Sequence, residues 1–516
     1  MIDLTRYPSI VPGLLLFTPF ALMWMFARKR RKLPLPPGPK GYPIIGNLFE
    51  IGNTEKPWEV YMEMGKEYGD MFYMESLGTK ILVLNSLQRA TDTLEGRSGI
   101  YSDRPVAPMM QEMEFDMYLG FMRYGSTWRR QRRALHQQLN PSAIGNYHHI
   151  LSLELVQLIK GLESTPQKFE SHIESYLSRV IFRAFYGVKI QGRSDPYMVL
   201  SSRVVDGLNI AGKPGAFYVD VLPALKYIPE WFPGTSWKGV ARYHRENSYR
   251  ARQEPYNNVV EKMQEGVVEP CLASRMIDAL PEPSDPERWE EEIAARDSLA
   301  AGYIAGSDTT RSLCLSFVLL MALYPEVQKK AQAEIDEVLS IGQLPTIEDR
   351  PRLVYVQAVI REVSRWLPPA PLSLHHATTH DDIYEGHFIP KGTIVTPNIW
   401  AMMRDPKHFA DPSRFIPERH IKGGRIDKTL PDTTEIVFGH GRRICPGRYL
   451  ALDVFYTFVT NTLALFDIYA PKSDAAGSKM KYSVDNSGVV IGPHPFDCDI
   501  HARSKRHQEV IRLLED

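Results

Sequence analysis

The sequence predicts a mainly α-helical chain, and three stretches carry that expectation. Between Trp289 and Tyr324, Leu299, Tyr303, Leu313, Phe317, Leu320 and Met321 mark apolar faces at helical spacing. After Pro446, Leu450, Ala451, Val454, Phe455, Phe458, Val459 and Leu463 recur in the same way. Near the start, Tyr7 to Ala27 is 21 residues without a charge.

As a helix, that first stretch would span about 32 Å at 1.5 Å per residue, roughly one bilayer core. Pro12 and Pro19 would kink it, which membrane helices tolerate. Arg28-Lys-Arg-Arg-Lys32 follows at once. The positive-inside rule keeps that cluster, and everything after it, in the cytosol. A cleaved signal peptide would carry its basic residues before the apolar run. We therefore expect a single-pass anchor over 1–32 and one catalytic body over 33–516, joined by the stiff hinge Pro34-Leu-Pro-Pro-Gly-Pro39.

The body can build a large core, since 43% of the chain is apolar and 10% aromatic. With 61 basic and 61 acidic residues, nothing global points to nucleic acid. The four cysteines, Cys271, Cys314, Cys445 and Cys498, form no C-x-x-C pair, which disfavours zinc. Cys314 lies in an apolar helical run and reads as a small core hydrophobe.

The middle of the long helix breaks several local rules at once. Ala305-Gly306-Ser307-Asp308-Thr309-Thr310 places a glycine, a carboxylate and two threonines in an apolar helix. A helix-interior glycine alone costs about 1 kcal/mol relative to alanine. Such conflicts gather at functional sites. Missing bulk at Ala305 and Gly306 would leave a groove for a small molecule. Thr309 can bond back to the carbonyl four residues earlier, and Asp308 can pass protons in from solvent.

Cys445 lies in Phe438-Gly-His-Gly-Arg-Arg-Ile-Cys445-Pro-Gly447, the pattern F-x-x-G-x-R-x-C-x-G. Gly439, Gly441 and Gly447 let the backbone pass close to a flat, bulky partner. Arg443 offers a permanent fork of donors. Pro446 suits the first position of the helix that follows. That would set Cys445 at a helix N-terminus, where a thiol's pKa falls.

This loop resembles the haem-binding loop of the cytochromes P450, the haem-thiolate monooxygenases. The resemblance implies that Cys445 is the axial ligand of haem b (iron protoporphyrin IX), its thiolate favouring O–O cleavage. It implies that Phe438, Gly439, Arg443 and Gly447 cradle the haem. The family pattern A/G-G-x-D/E-T-T/S is matched from Ala305 to Thr310 at every position. Ala305 and Gly306 would then lie against the haem, and Asp308 and Thr309 would serve oxygen activation.

Further motifs fall in the family's order. Glu362-Val-Ser-Arg365 and Pro417-Glu418-Arg419 resemble the segments whose Glu362, Arg365 and Arg419 form a buried, structural triad. His420 departs from the aromatic residue usual after that arginine. Trp128-Arg-Arg-Gln-Arg132 resembles the pair that donates to the haem propionates. Arg129, Arg130 and Arg133 could instead help dock an acidic electron donor. His376 sits where a propionate partner is often found, with His375 as the alternative. The Met-rich stretch from Pro105 to Met122 and the aromatic stretch from Pro214 to Trp237 resemble substrate-pocket and lid segments.

Over residues 33 to about 500 the resemblance implies a mostly helical single domain with small β-sheets. It implies dioxygen as co-substrate and an apolar small-molecule substrate that partitions from lipid. Electrons would come from NADPH through NADPH-cytochrome P450 reductase, with cytochrome b5 as an optional second donor. Lys226-Tyr-Ile-Pro-Glu-Trp-Phe-Pro-Gly234 resembles fungal members of secondary metabolism, acting on terpenoid, polyketide or aromatic compounds at the endoplasmic reticulum membrane. The alternatives are an NADPH-independent haem-thiolate isomerase or dehydratase, and a non-catalytic haem sensor.

Overall fold

Helix α5, Arg288–Leu323, runs 36 residues through the centre of the molecule and organises everything around it. The computed structural model describes residues 33–52, 55–213, 215–340, 342–471, 482–486 and 488–514. The expected anchor over 1–32 lies outside the described residues. Among the described residues no single helix is long and apolar enough to cross a membrane.

The helices that position the site are α1, Ser126–Leu139, α2, Phe169–Tyr186, α3, Pro196–Ala211, and α4, Trp237–Gln264. After α5 come α6, Val354–Trp366, and α7, Arg448–Leu465. Both α1 and α2 pack on α5, and α7 packs on its C-terminal half. Leu299, Tyr303, Phe317 and Met321 of α5 are fully buried, as are Phe458, Val459 and Leu463 of α7. A helix this long draws its stability from such packing rather than from propensity. Gly302 permits the closest approach: a Cβ there would lie 2.3 Å from a Phe185 ring carbon of α2.

The small sheets form as expected. Strands β1, Met71–Ser76, and β2, Thr79–Leu84, pair antiparallel across a tight turn. Leu77 and Gly78 carry that turn with φ of 47° and 83°, the backbone a two-residue hairpin requires. Strands β3, His376–Ala377, and β4, Ile394–Pro397, complete a sheet of order β1-β2-β4-β3. The β2–β4 pair is parallel, from Ile81↔Ile394 to Leu84↔Pro397, and the β3–β4 pair is antiparallel, with His376↔Val395. A second, two-stranded sheet pairs Phe466–Tyr469 with Asp499–Ala502 near the C-terminus.

A buried ion cluster ties α6 to the segment that leads into the cysteine loop. Glu362 accepts from Arg365 Nε and Nη2 at 2.8 and 2.9 Å, and from Arg419 Nε at 3.2 Å. Its carboxylate also takes the Ile416 N–H at 2.8 Å and His420 Nε2 at 2.9 Å. His420 thus enters the cluster as a further donor, with its ring 6.3 Å from that of Phe409. Arg365 spends its remaining donors on the carbonyls of Met403, Pro412 and Arg414. Burial would raise the Glu362 carboxyl, but hydrogen bonds from His420 and Arg365 reverse that and hold it at about 2.

Candidate active site

One cavity brings together three of the segments singled out in the sequence. The cysteine loop supplies Phe438, Gly439, Arg443, Cys445 and Gly447. Helix α5 supplies Ala305, Gly306, Thr309 and Thr310 across from it, and α1 supplies Trp128 and Arg132 at the side. Leu177, Ile181, Phe185, Ala301 and Leu313 make much of the remaining wall apolar.

The loop's backbone explains its glycines. Gly439 and Gly441 have φ of 83° and 60°, a region costly for any side chain. A Cβ on Gly441 would also lie 2.0 Å from the Leu94 carbonyl oxygen. The Cys445 N–H donates to the Phe438 carbonyl at 2.9 Å, closing the loop on itself. Pro446 stands outside α7: Gly447 is the residue before the helix and Arg448 the first in it. Burial raises the Cys445 thiol, opposed by the Gly447 N–H, Arg132 and Arg448. The expected depression by a helix terminus is therefore outweighed by desolvation, and a bound cation is what would hold the thiolate.

The side wall has a donor without an acceptor. Trp128 is almost fully buried, and its Nε1 makes no hydrogen bond within the protein. Beside it, Arg132 donates to the Ile444 carbonyl, and burial lowers its pKa. Arg443 lines the cavity, as expected, and has a second task. Its guanidinium donates to the carbonyls of Ser102 at 2.7 Å, Met122 at 2.8 Å and Leu119 at 3.3 Å. Its face lies 4.5 Å from the Trp128 ring centroid. These bonds make Arg443 a brace between the loop and the segment before α1.

The two histidines separate. His376 lines this cavity and donates from Nδ1 to the Tyr101 carbonyl at 2.8 Å. His375 lines a different cavity. Asp308 and Thr309 separate too. Thr309 faces the main cavity, its hydroxyl donating to the Ala305 carbonyl at 2.9 Å, as the back-bonding reading expects. Asp308 lines a second cavity with Glu174, Arg193, Ser307 and Arg311. Burial raises its carboxyl above the ordinary value, and Arg311 opposes that. Gly306 is not simply open groove, for a Cβ there would meet Ile181 of α2 at 3.1 Å.

Other expectations change. Arg130 pairs with Glu287, Glu290 and Glu291, and Arg133 pairs with Glu291 while staying half exposed. Within the Met-rich segment, Met109, Met113 and Phe115 are fully buried core, while Met110 and Phe121 line the cavity beside His375. Arg104 carried no sequence signal, yet it lines both cavities. It donates to the carbonyls of Gly120, Leu374 and His375 at 2.7–2.8 Å. Its partners lie up to 271 residues away, beyond any local pattern.

A cysteine loop, an orphaned indole donor and a threonine-bearing helix thus surround one cavity. The cytochrome P450 family profile covers residues 36–498. The chain belongs to the cytochrome P450 family. It is 39% identical over 488 residues to cytochrome P450 monooxygenase COX1 of Coprinopsis cinerea, covering 93% of this chain and 94% of that one. With COX2 of the same fungus it shares 40% over 494 residues, covering 95% and 93%. With ple1 of Rhodocybe pseudopiperita it shares 37% over 494 residues, covering 95% and 93%. This P450 is thus a haem-thiolate monooxygenase, an enzyme that uses haem iron and dioxygen. The residues fit that group: a lone cysteine for the iron, an unpaired Trp128 Nε1 for a carboxylate, and a loop whose glycines keep side chains off its face.

Proposed function

We propose that this protein is a membrane-anchored monooxygenase that inserts one oxygen atom into an apolar small molecule of fungal secondary metabolism. Terpenoid, polyketide and aromatic compounds are the substrate classes in view. Electrons reach it from NADPH through a separate reductase. The observation that carries the reading is the partition made by α5. Thr309 faces the cavity with Cys445, and Asp308 faces a second cavity that holds charged and hydroxyl groups.

When bound, haem supplies the one-electron and oxygen-activating chemistry. Cys445 would hold the iron, and Trp128, Arg132 and His376 would serve the propionates. Asp308 would hold a proton at its carboxyl, collected through the second cavity, and release it toward the hydroxyl of its neighbour Thr309. Apolar walls at Leu177, Ile181, Phe185 and Leu313 exclude water and suit an apolar substrate.

Exposed aromatic residues support a membrane-facing side. Tyr218 and Trp231 are each 82% exposed, with Tyr227 and Phe232 beside them and Ile44 and Phe49 on the N-terminal segment. A soluble surface rarely leaves so many large apolar groups uncovered. Catalytic body toward the cytosol, at the endoplasmic reticulum membrane, is the topology that the basic cluster at 28–32 supports. The decisive experiment co-expresses the protein with a fungal NADPH-cytochrome P450 reductase and profiles metabolites against Cys445→Ala. Oxygenated products confined to the unmutated protein are expected. Equal products in both strains would refute the proposal.

A further inference from the structure

Asp308 shares the second cavity with an excess of donors. Helix α2 contributes Glu174 and Ser178, α3 contributes Arg203, and α5 contributes Asp308 and Arg311. Arg193, on the segment before α3, and three further serines complete the polar wall. Three guanidiniums thus meet two carboxylates. Arg193 pairs with Glu174 and Arg311 with Glu170 at 3.4 Å, which leaves Arg203 without an ion pair among the described residues. Burial holds the Asp308 carboxyl above its ordinary value, so it is the weaker of the two counter-charges in the cavity.

Two donors on this wall have no acceptor. Ser178 is 1% exposed and its hydroxyl makes no hydrogen bond within the protein. Arg311 Nε is buried and unpaired as well. A buried donor left without a partner is costly, and here two of them, on α2 and α5, line one cavity. Water could take each bond, but it would leave the positive charge unanswered. A cation would meet three guanidiniums. Guanidinium forks and hydroxyls together are donors that suit an oxyanion. A tetrahedral oxyanion has an oxygen for each of the three helices, whereas a carboxylate has only two.

We propose that the cavity lined by α2, α3 and α5 binds a small tetrahedral oxyanion of the phosphate class, held by Ser178, Arg203 and Arg311. This goes beyond the proton-collecting reading of the same cavity, which asks only for water there. It stands or falls independently of what Asp308 does in turnover, because binding is read without any reaction.

The test is calorimetric titration of the purified holoprotein with inorganic phosphate at constant ionic strength, with sodium acetate and sodium chloride as comparison salts. One saturable phosphate site is expected, with acetate about tenfold weaker. Arg203→Gln and Ser178→Ala should each weaken phosphate about tenfold, the worth of one hydrogen bond to a charged group. Arg203 is exposed, so its substitution leaves the packing of the three helices in place, and it decides the matter if Ser178→Ala does not fold. Three results would overturn the proposal: no saturable heat with phosphate, acetate or chloride bound as tightly as phosphate, or phosphate affinity unchanged in Arg203→Gln. The last would place the anion elsewhere on the protein.

Discussion

Glu362→Gln removes one charge from a cluster that cannot re-form around the change. The carboxylate accepts from Arg365, Arg419, His420 and the Ile416 N–H, and both Glu362 and Arg365 are fully buried. Each pKa unit is worth about 1.4 kcal/mol. Holding Glu362 at about 2 rather than 4.5 therefore stabilises the folded state by about 3 kcal/mol. Removing one partner of a buried pair costs about 3–5 kcal/mol, because the Arg365 charge stays behind without its counter-ion. The two figures agree, and either is a large part of a stability of about 5–15 kcal/mol. The sign fixes the pH window. Because the folded pKa is depressed, the contribution is complete above pH 4.5 and is lost as pH falls toward 2. Thermal unfolding of the purified holoprotein should show Glu362→Gln melting several degrees lower near neutral pH, with lower haem content. The gap to the unmutated protein should narrow as the pH is taken below 4.5. An unchanged melting temperature with full haem content would refute the argument that this cluster braces the cysteine loop. His420→Phe, which removes one donor and keeps a ring beside Phe409, should cost only about 1 kcal/mol.

Thr309→Ala should keep the haem and divert electrons from product to hydrogen peroxide and water. Unchanged coupling of NADPH use to product would remove Thr309 from oxygen handling. Trp128→Phe deletes the unpaired indole N–H and should speed haem transfer to apomyoglobin about tenfold, the worth of one hydrogen bond to a charged group. Equal transfer rates would show that Nε1 serves no carboxylate. Gly302→Ala places a methyl 2.3 Å from Phe185 and should destabilise by about 1–3 kcal/mol, read by thermal unfolding. A neutral effect would mean that α2 can retreat freely from α5.

Some parts of the fold were legible because they are local. The long helix expected from Trp289 to Tyr324 forms from Arg288 to Leu323, since its apolar repeat records the face it buries. Glu362 and Arg365 share one face because they stand three residues apart on α6. Gly439 and Gly441 announced a backbone that other residues resist. His420 could not be read so. Its role depends on Glu362, 58 residues earlier, and on which edge of its ring the packing presents.

The sequence by itself determined the family, the cysteine that defines it, and the helix that faces it, because each is carried by residues within about ten positions of one another. Tertiary structure alone decided how adjacent residues divide between compartments. Asp308 and Thr309 are neighbours, but successive residues on a helix point about 100° apart, so one faces the polar cavity and the other the haem site. His375 and His376 are neighbours at the start of β3, where successive side chains leave opposite faces of the backbone. What lies beyond each face is set by segments hundreds of residues away. For that reason the chemistry was visible in the sequence, and the shape of the substrate's place was not.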